Sequence, residues 1–227
     1  MAQAPFVFFA VLLALEVLYW VVFAGPRRQM ERGLTRISPL TFYLVPVLYL
    51  IRLALVFGYI FVTGAPVFDG LTANLVPGVG VGLALALVEM LTILRRPHWP
   101  RLRKDRVDLG LFFFYTLLVV ALIEEMIFRG ALLLAVGGGW VALLGSSVAM
   151  GLWHMPYYAT TLRPPSVARS GALAAAVSLL CGLAVVATGS LWASIIPHGI
   201  GDFLGWFGRH RERTAAVPCG ATADGAP

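Results

Sequence analysis

Residues 109–135 read LGLFFFYTLLVVALIEEMIFRGALLLA, an apolar run that holds Glu124, Glu125 and Arg129 in its second half. About 20 apolar residues cross the hydrocarbon core of a bilayer as a helix, so the run predicts a membrane span with ionisable groups at depth. A charge there costs at least about 2.5 kcal/mol on insertion scales, which makes each such group a candidate for function. Two later apolar runs carry polar groups as well: Trp153-His154 in the first, His198 and Asp202 in the second.

Working outward, hydrophobic residues make up 59% of the chain and charged residues 12%, well short of the soluble balance. Seven spans are predicted, at about 4–24, 39–64, 76–94, 109–135, 140–158, 171–189 and 190–208. The fold class is therefore all-α: a polytopic integral membrane helix bundle over residues 1–208, followed by a short tail, 209–227. Residues 214–227 are rich in Ala, Gly and Pro, have little to bury, and are expected to be disordered. Small residues crowd the sixth span, from Gly171 to Ala184, and allow a close helix approach.

Of 17 Lys and Arg, four fall in 27–36, six in 95–106, two in 163–169 and three in 209–213. These segments follow spans one, three, five and seven, which puts the N-terminus outside and the C-terminus in the cytoplasm. The net charge of +6 thus reads as basic loops against anionic headgroups, not as a nucleic-acid surface. The only cysteines, Cys181 and Cys219, lie in a span and in the tail and imply no disulfide framework.

Spacing divides the ionisable groups by role. Glu125 and Arg129 stand four apart, acid first, and are expected to form a structural ion pair. Glu124 lies about 100° round the helix, with a carboxylate free to take a proton. His198 and Asp202 are also four apart, beside Pro197, which is expected to break the helix and admit water. At about 1.5 Å per residue from the outer span ends, Glu124, His154 and His198 lie roughly 17, 22 and 13 Å deep, within two turns of one another. A lone buried His in a span is more often a helix–helix hydrogen-bond partner; the joint occurrence of these three points to water activation. Glu16, Arg52 and Glu89 are read as pairing with one another or snorkelling, and Trp20, Trp99, Trp140 and Trp206 as interfacial anchors.

In these residues the chain resembles the CPBP family of intramembrane endopeptidases, which includes the type II CAAX prenyl proteases and bacteriocin-processing, Abi-like proteins. The family pattern is Glu-Glu-x-x-x-Arg, then Phe-x-x-x-His, then His-x-x-x-Asn or Asp. Here it runs Glu124-Glu125-Met126-Ile127-Phe128-Arg129, Met150-Gly151-Leu152-Trp153-His154 and His198-Gly199-Ile200-Gly201-Asp202, with Met150 in place of Phe. The likeness covers roughly 109–208 and leaves the first three spans unmatched.

The resemblance implies peptide-bond hydrolysis in a membrane-associated protein or peptide, CAAX-type or leader-bearing, within a bacterial-type plasma membrane. Glu124 and His154 would activate water, and His198 with Asp202 would stabilise the tetrahedral intermediate. An ionised Asp202 cannot donate to an oxyanion as an Asn does, so it either orients His198 or carries a proton. No cofactor is favoured; the alternative is one zinc ion held by Glu124, His154 and His198. A proton-coupled transporter and a non-catalytic membrane scaffold are the competing functions.

Overall fold

A computed structural model describes residues 7–18, 20, 39–94, 110, 113–161 and 164–215, and every regular element among them is helical. In chain order these are α1 (Val7–Leu18), α2 (Pro39–Thr63), α3 (Val67–Thr72), α4 (Leu75–Leu94), α5 (113–131), a 3₁₀ turn (Leu134–Val136), α6 (Trp140–Thr161), α7 (Pro164–Thr188) and α8 (Trp192–Ala215). Each expected span has a helix in its place; α3 was not expected. The basic segments 27–36 and 95–106, Trp99 and residues 216–227 lie outside the described residues. The last helix runs on to Ala215, so the first residues assigned to the tail are helical.

Among the described residues, two helices are long and apolar enough to cross a membrane, over Leu75–Thr92 and Pro165–Thr188. Only 17% and 28% of these windows is buried inside the protein, unlike the core helices of a soluble domain. The rest of the surface agrees. Phe61 is 91% and Val141 87% exposed, while Glu16, Arg52, Glu124, Glu125 and Arg129 are buried. An apolar exterior around a charged interior fits a hydrocarbon solvent and is costly in water.

Close helix approach rests on small residues. A Cβ on Gly151 of α6 would lie 2.7 Å from the Gly171 carbonyl of α7, and one on Gly199 of α8 would lie 2.8 Å from Cα of Leu117 in α5. The helix-breaking expected at Pro197 does not occur: α8 is continuous through it. What the glycines beside Pro197 supply is proximity to α5 and α4, not an opening.

α5 is irregular where it matters. Thr116–Ala121 and Met126–Ala131 are π-helical, and the α-helical turn Leu122–Glu125 lies between them. Beyond the second π segment the N–H of Leu132 bonds the Ile127 carbonyl, five residues back, at 3.0 Å. Such segments re-aim the side chains that follow and often accompany functional groups. Gly137 and Gly138, both at positive φ, then end the chain's descent before α6. The turn from α7 to α8 is tied to α3: Leu191 N–H donates to the Gly70 carbonyl at 2.7 Å, and the Trp192 indole to that of Leu71 at 2.9 Å. These bonds satisfy carbonyls at the end of a short helix and fix where α8 starts.

Candidate active site

Glu124 comes from the α turn of α5, His154 from α6 and His198 from α8. The fold brings all three together: one ligating atom from each lies within 4.8 Å of the others. Glu124 Oε2 is 3.9 Å from His154 Nε2 and 3.5 Å from His198 Nε2. This oxygen is buried without a hydrogen-bond partner. The other oxygen, Oε1, accepts the indole N–H of Trp153 at 3.1 Å.

The partners of the two imidazoles identify their tautomers. His154 Nδ1 lies 3.0 Å from the Met150 carbonyl and His198 Nδ1 lies 2.7 Å from Glu125 Oε1. Both partners accept, so each Nδ1 carries the proton and donates it outward. In the neutral ring each Nε2 then presents a lone pair to the centre, beside Glu124. Asp202 Oδ2 is 3.5 Å from His198 Nε2, on the inner side of the ring, so Asp202 does not hold the outer nitrogen. Glu125 does that, a role the sequence reading did not assign.

Glu125 also makes the expected pair with Arg129, Oε2 to Nε at 3.1 Å, with both side chains buried. Arg129 Nη2 donates further to the Ser178 carbonyl and hydroxyl of α7, at 3.1 and 2.9 Å. One carboxylate therefore links the histidine of α8, through the arginine of α5, to α7. Glu16 and Arg52 form the ion pair expected of them. Glu89 of α4 does not join that pair: its carboxylate packs against Gly201, beside His198 and Asp202. Its isolation in an apolar helix was the available signal. Trp140 is exposed as an anchor should be, whereas Trp20 turns to Glu16 and to the ring of Tyr157; the Trp206 side chain lies outside the described ones.

The donor set fits a divalent cation such as zinc. It offers two imidazole nitrogens and a carboxylate oxygen, with the buried Oε2 unpartnered and both outer nitrogens held by acceptors. The outer partner of His154 comes from its own helix, the Met150 carbonyl one turn back.

Residues 106–204 match the family model described as type II CAAX prenyl endopeptidase Rce1-like. The chain carries an Rce1-like domain. The match supports the CPBP/CAAX membership that the three motifs implied and spans α5 to Asp202, with every residue of the triad inside it. α1 to α4 lie outside it. The Rce1-like match points to a membrane-embedded protease. No curated protein and no solved structure matches the chain.

Proposed function

We propose that the Rce1-like domain is an intramembrane endopeptidase that hydrolyses a peptide bond of a membrane-associated substrate, CAAX-type or leader-bearing. The observation that carries the reading is Glu124 Oε2, buried, unpartnered and facing the Nε2 atoms of two histidines. A water in that space donates one hydrogen to Oε2 and the other to His154 Nε2, leaving its lone pairs for a carbonyl carbon. Glu124 takes the proton as the oxygen attacks, then returns it to the leaving amine as the C–N bond breaks. His198, doubly protonated, donates from Nε2 to the oxyanion while Glu125 and Asp202 balance its charge. A bound divalent cation would be held by Glu124, His154 and His198 and would supply Lewis-acid polarisation and a more acidic water. The favoured reading uses the side chains alone.

The bundle is proposed to lie in a bacterial-type plasma membrane as one domain over 1–208, with seven spans and the N-terminus outside. Seven of the eight described helices fall on the seven apolar runs, which supports it, as does the basic character of alternate connections.

The test is cleavage of a fluorogenic farnesylated CAAX peptide by purified protein, joined to a comparison of membrane-proteome termini with active and Glu124→Gln enzyme. Glu124→Gln, His154→Ala and His198→Ala should each lose a factor of about 10² to 10⁴ while remaining folded. Near-normal turnover by one of them removes that residue from the site. Identical termini with and without active enzyme, and no peptide cleavage, would sink the protease reading.

A further inference from the structure

We propose that Trp153 and Arg52 are positioning residues that choose which oxygen of Glu124 reacts, through a relay running from Glu16 of α1 through Arg52 of α2 and Trp153 of α6 to α5. The inference rests on the proposed role of Glu124 as the base. A carboxylate in a cavity can rotate and offer either oxygen. The Trp153 indole N–H occupies Oε1 at 3.1 Å, so Oε2 is the one turned toward His154 and His198.

The indole is itself held in place. It is 2% exposed, with the Arg52 guanidinium carbon 4.8 Å from its ring centroid and the Phe128 ring edge-on to it at 5.7 Å. A desolvated cation over an indole face is a strong cation–π pair, and its field makes the N–H a better donor. Arg52 is pinned in turn by Glu16 Oε2, while Glu16 Oε1 accepts the Trp20 indole. Arg52 also interacts electrostatically with Glu124 itself. A buried ion pair contributes little stability over apolar side chains of similar size. Bulk stabilisation therefore does not account for polar groups aligned from α1 to the reacting carboxylate; orientation does. The relay also gives α1 and α2, which lie outside the Rce1-like match, a part in the reaction.

The experiment uses the full chain in detergent, the fluorogenic farnesylated peptide, and the variants Trp153→Phe, Arg52→Gln and Glu124→Gln. Trp153→Phe keeps an aromatic ring beside Arg52 and removes the donor, together with part of the buried indole volume. It should lower kcat about 10- to 100-fold with KM unchanged, because misorientation affects the chemical step and not binding. Arg52→Gln should lower kcat in the same manner. ¹⁵N-indole spectra supply a readout independent of turnover. The Trp153 resonance, assigned from Trp153→Phe or by elimination of the other five tryptophans, should shift in Arg52→Gln and in Glu124→Gln. Wild-type kcat in Trp153→Phe beside an inactive Glu124→Gln overturns the proposal. So does a Trp153 resonance unmoved by both of the other variants. If no variant and no wild type cleaves any substrate while the resonance shifts as expected, the protease reading fails and the relay stands as the device that orients Glu124.

Discussion

Glu125 divides its two oxygens between Arg129 and His198, so removing either partner has a different consequence. Arg129→Ala leaves one oxygen of the fully buried Glu125 carboxylate without its guanidinium and also unties α7 at Ser178; the expected cost is about 3–5 kcal/mol, read as a lower unfolding midpoint in detergent. Glu125→Gln should lose activity as well as stability, because the His198 ring loses its charged acceptor. An unchanged midpoint for Arg129→Ala would show that the pair does not support the bundle. The triad yields a second expectation. With both histidines already polarised by their outer partners, exhaustive chelation should leave peptide cleavage nearly intact and metal analysis should find well under one zinc per chain. Stoichiometric zinc, lost with activity and restored with it, would transfer water activation from Glu124 to the ion.

Among the elements, the α6–α7 seam depends on a backbone approach that only glycine permits. A methyl group on Gly151 would stand 2.7 Å from the Gly171 carbonyl and 3.0 Å from the Ala175 Cβ, so one helix must move. Gly151→Ala is expected to destabilise by about 1–3 kcal/mol and to lower activity by shifting His154 on the same helix. Gly145→Ala, on an open part of α6, should be neutral or stabilise by up to about 1 kcal/mol. Equal midpoints for the two variants would mean that the seam tolerates separation. Apolar runs and small residues made both helices legible beforehand. The π segments of α5 were not legible, since i→i+5 bonding leaves no residue signature and depends on what packs outside the helix. Pro197 misled because a proline inside a helix removes one hydrogen bond without having to end the helix, and α8 continues through it.

For the whole molecule, the proposed orientation in the bilayer rests on loops that are either basic or free of Lys and Arg. With Cys181 and Cys219 replaced, a cysteine at Gly139, which has open space around it, should react with an impermeant thiol reagent from outside, and one at Arg103 should not. The reverse pattern would invert the topology. The same distribution of charge explains why the interior is polar: with hydrocarbon outside, ionisable groups have only one another as solvent. Glu16 with Arg52, and Glu125 with Arg129, are the result.

The linear order of residues by itself determined that this chain is helical and apolar, which runs form helices, and that Glu124, His154 and His198 belong together. The first two are local, since hydropathy sums over one run and a four-residue step reports one face of one helix; the third came from the joint occurrence of three motifs. Tertiary structure alone decided that Glu125 serves His198, that Trp153 takes one oxygen of Glu124, and that Glu89 approaches Asp202. These pairings join different helices, Glu124 to Trp153 across 29 positions and Glu125 to His198 across 73. Each depends on how far one helix is rotated and advanced against another. That is set by side-chain packing around the whole bundle, which no local spacing encodes.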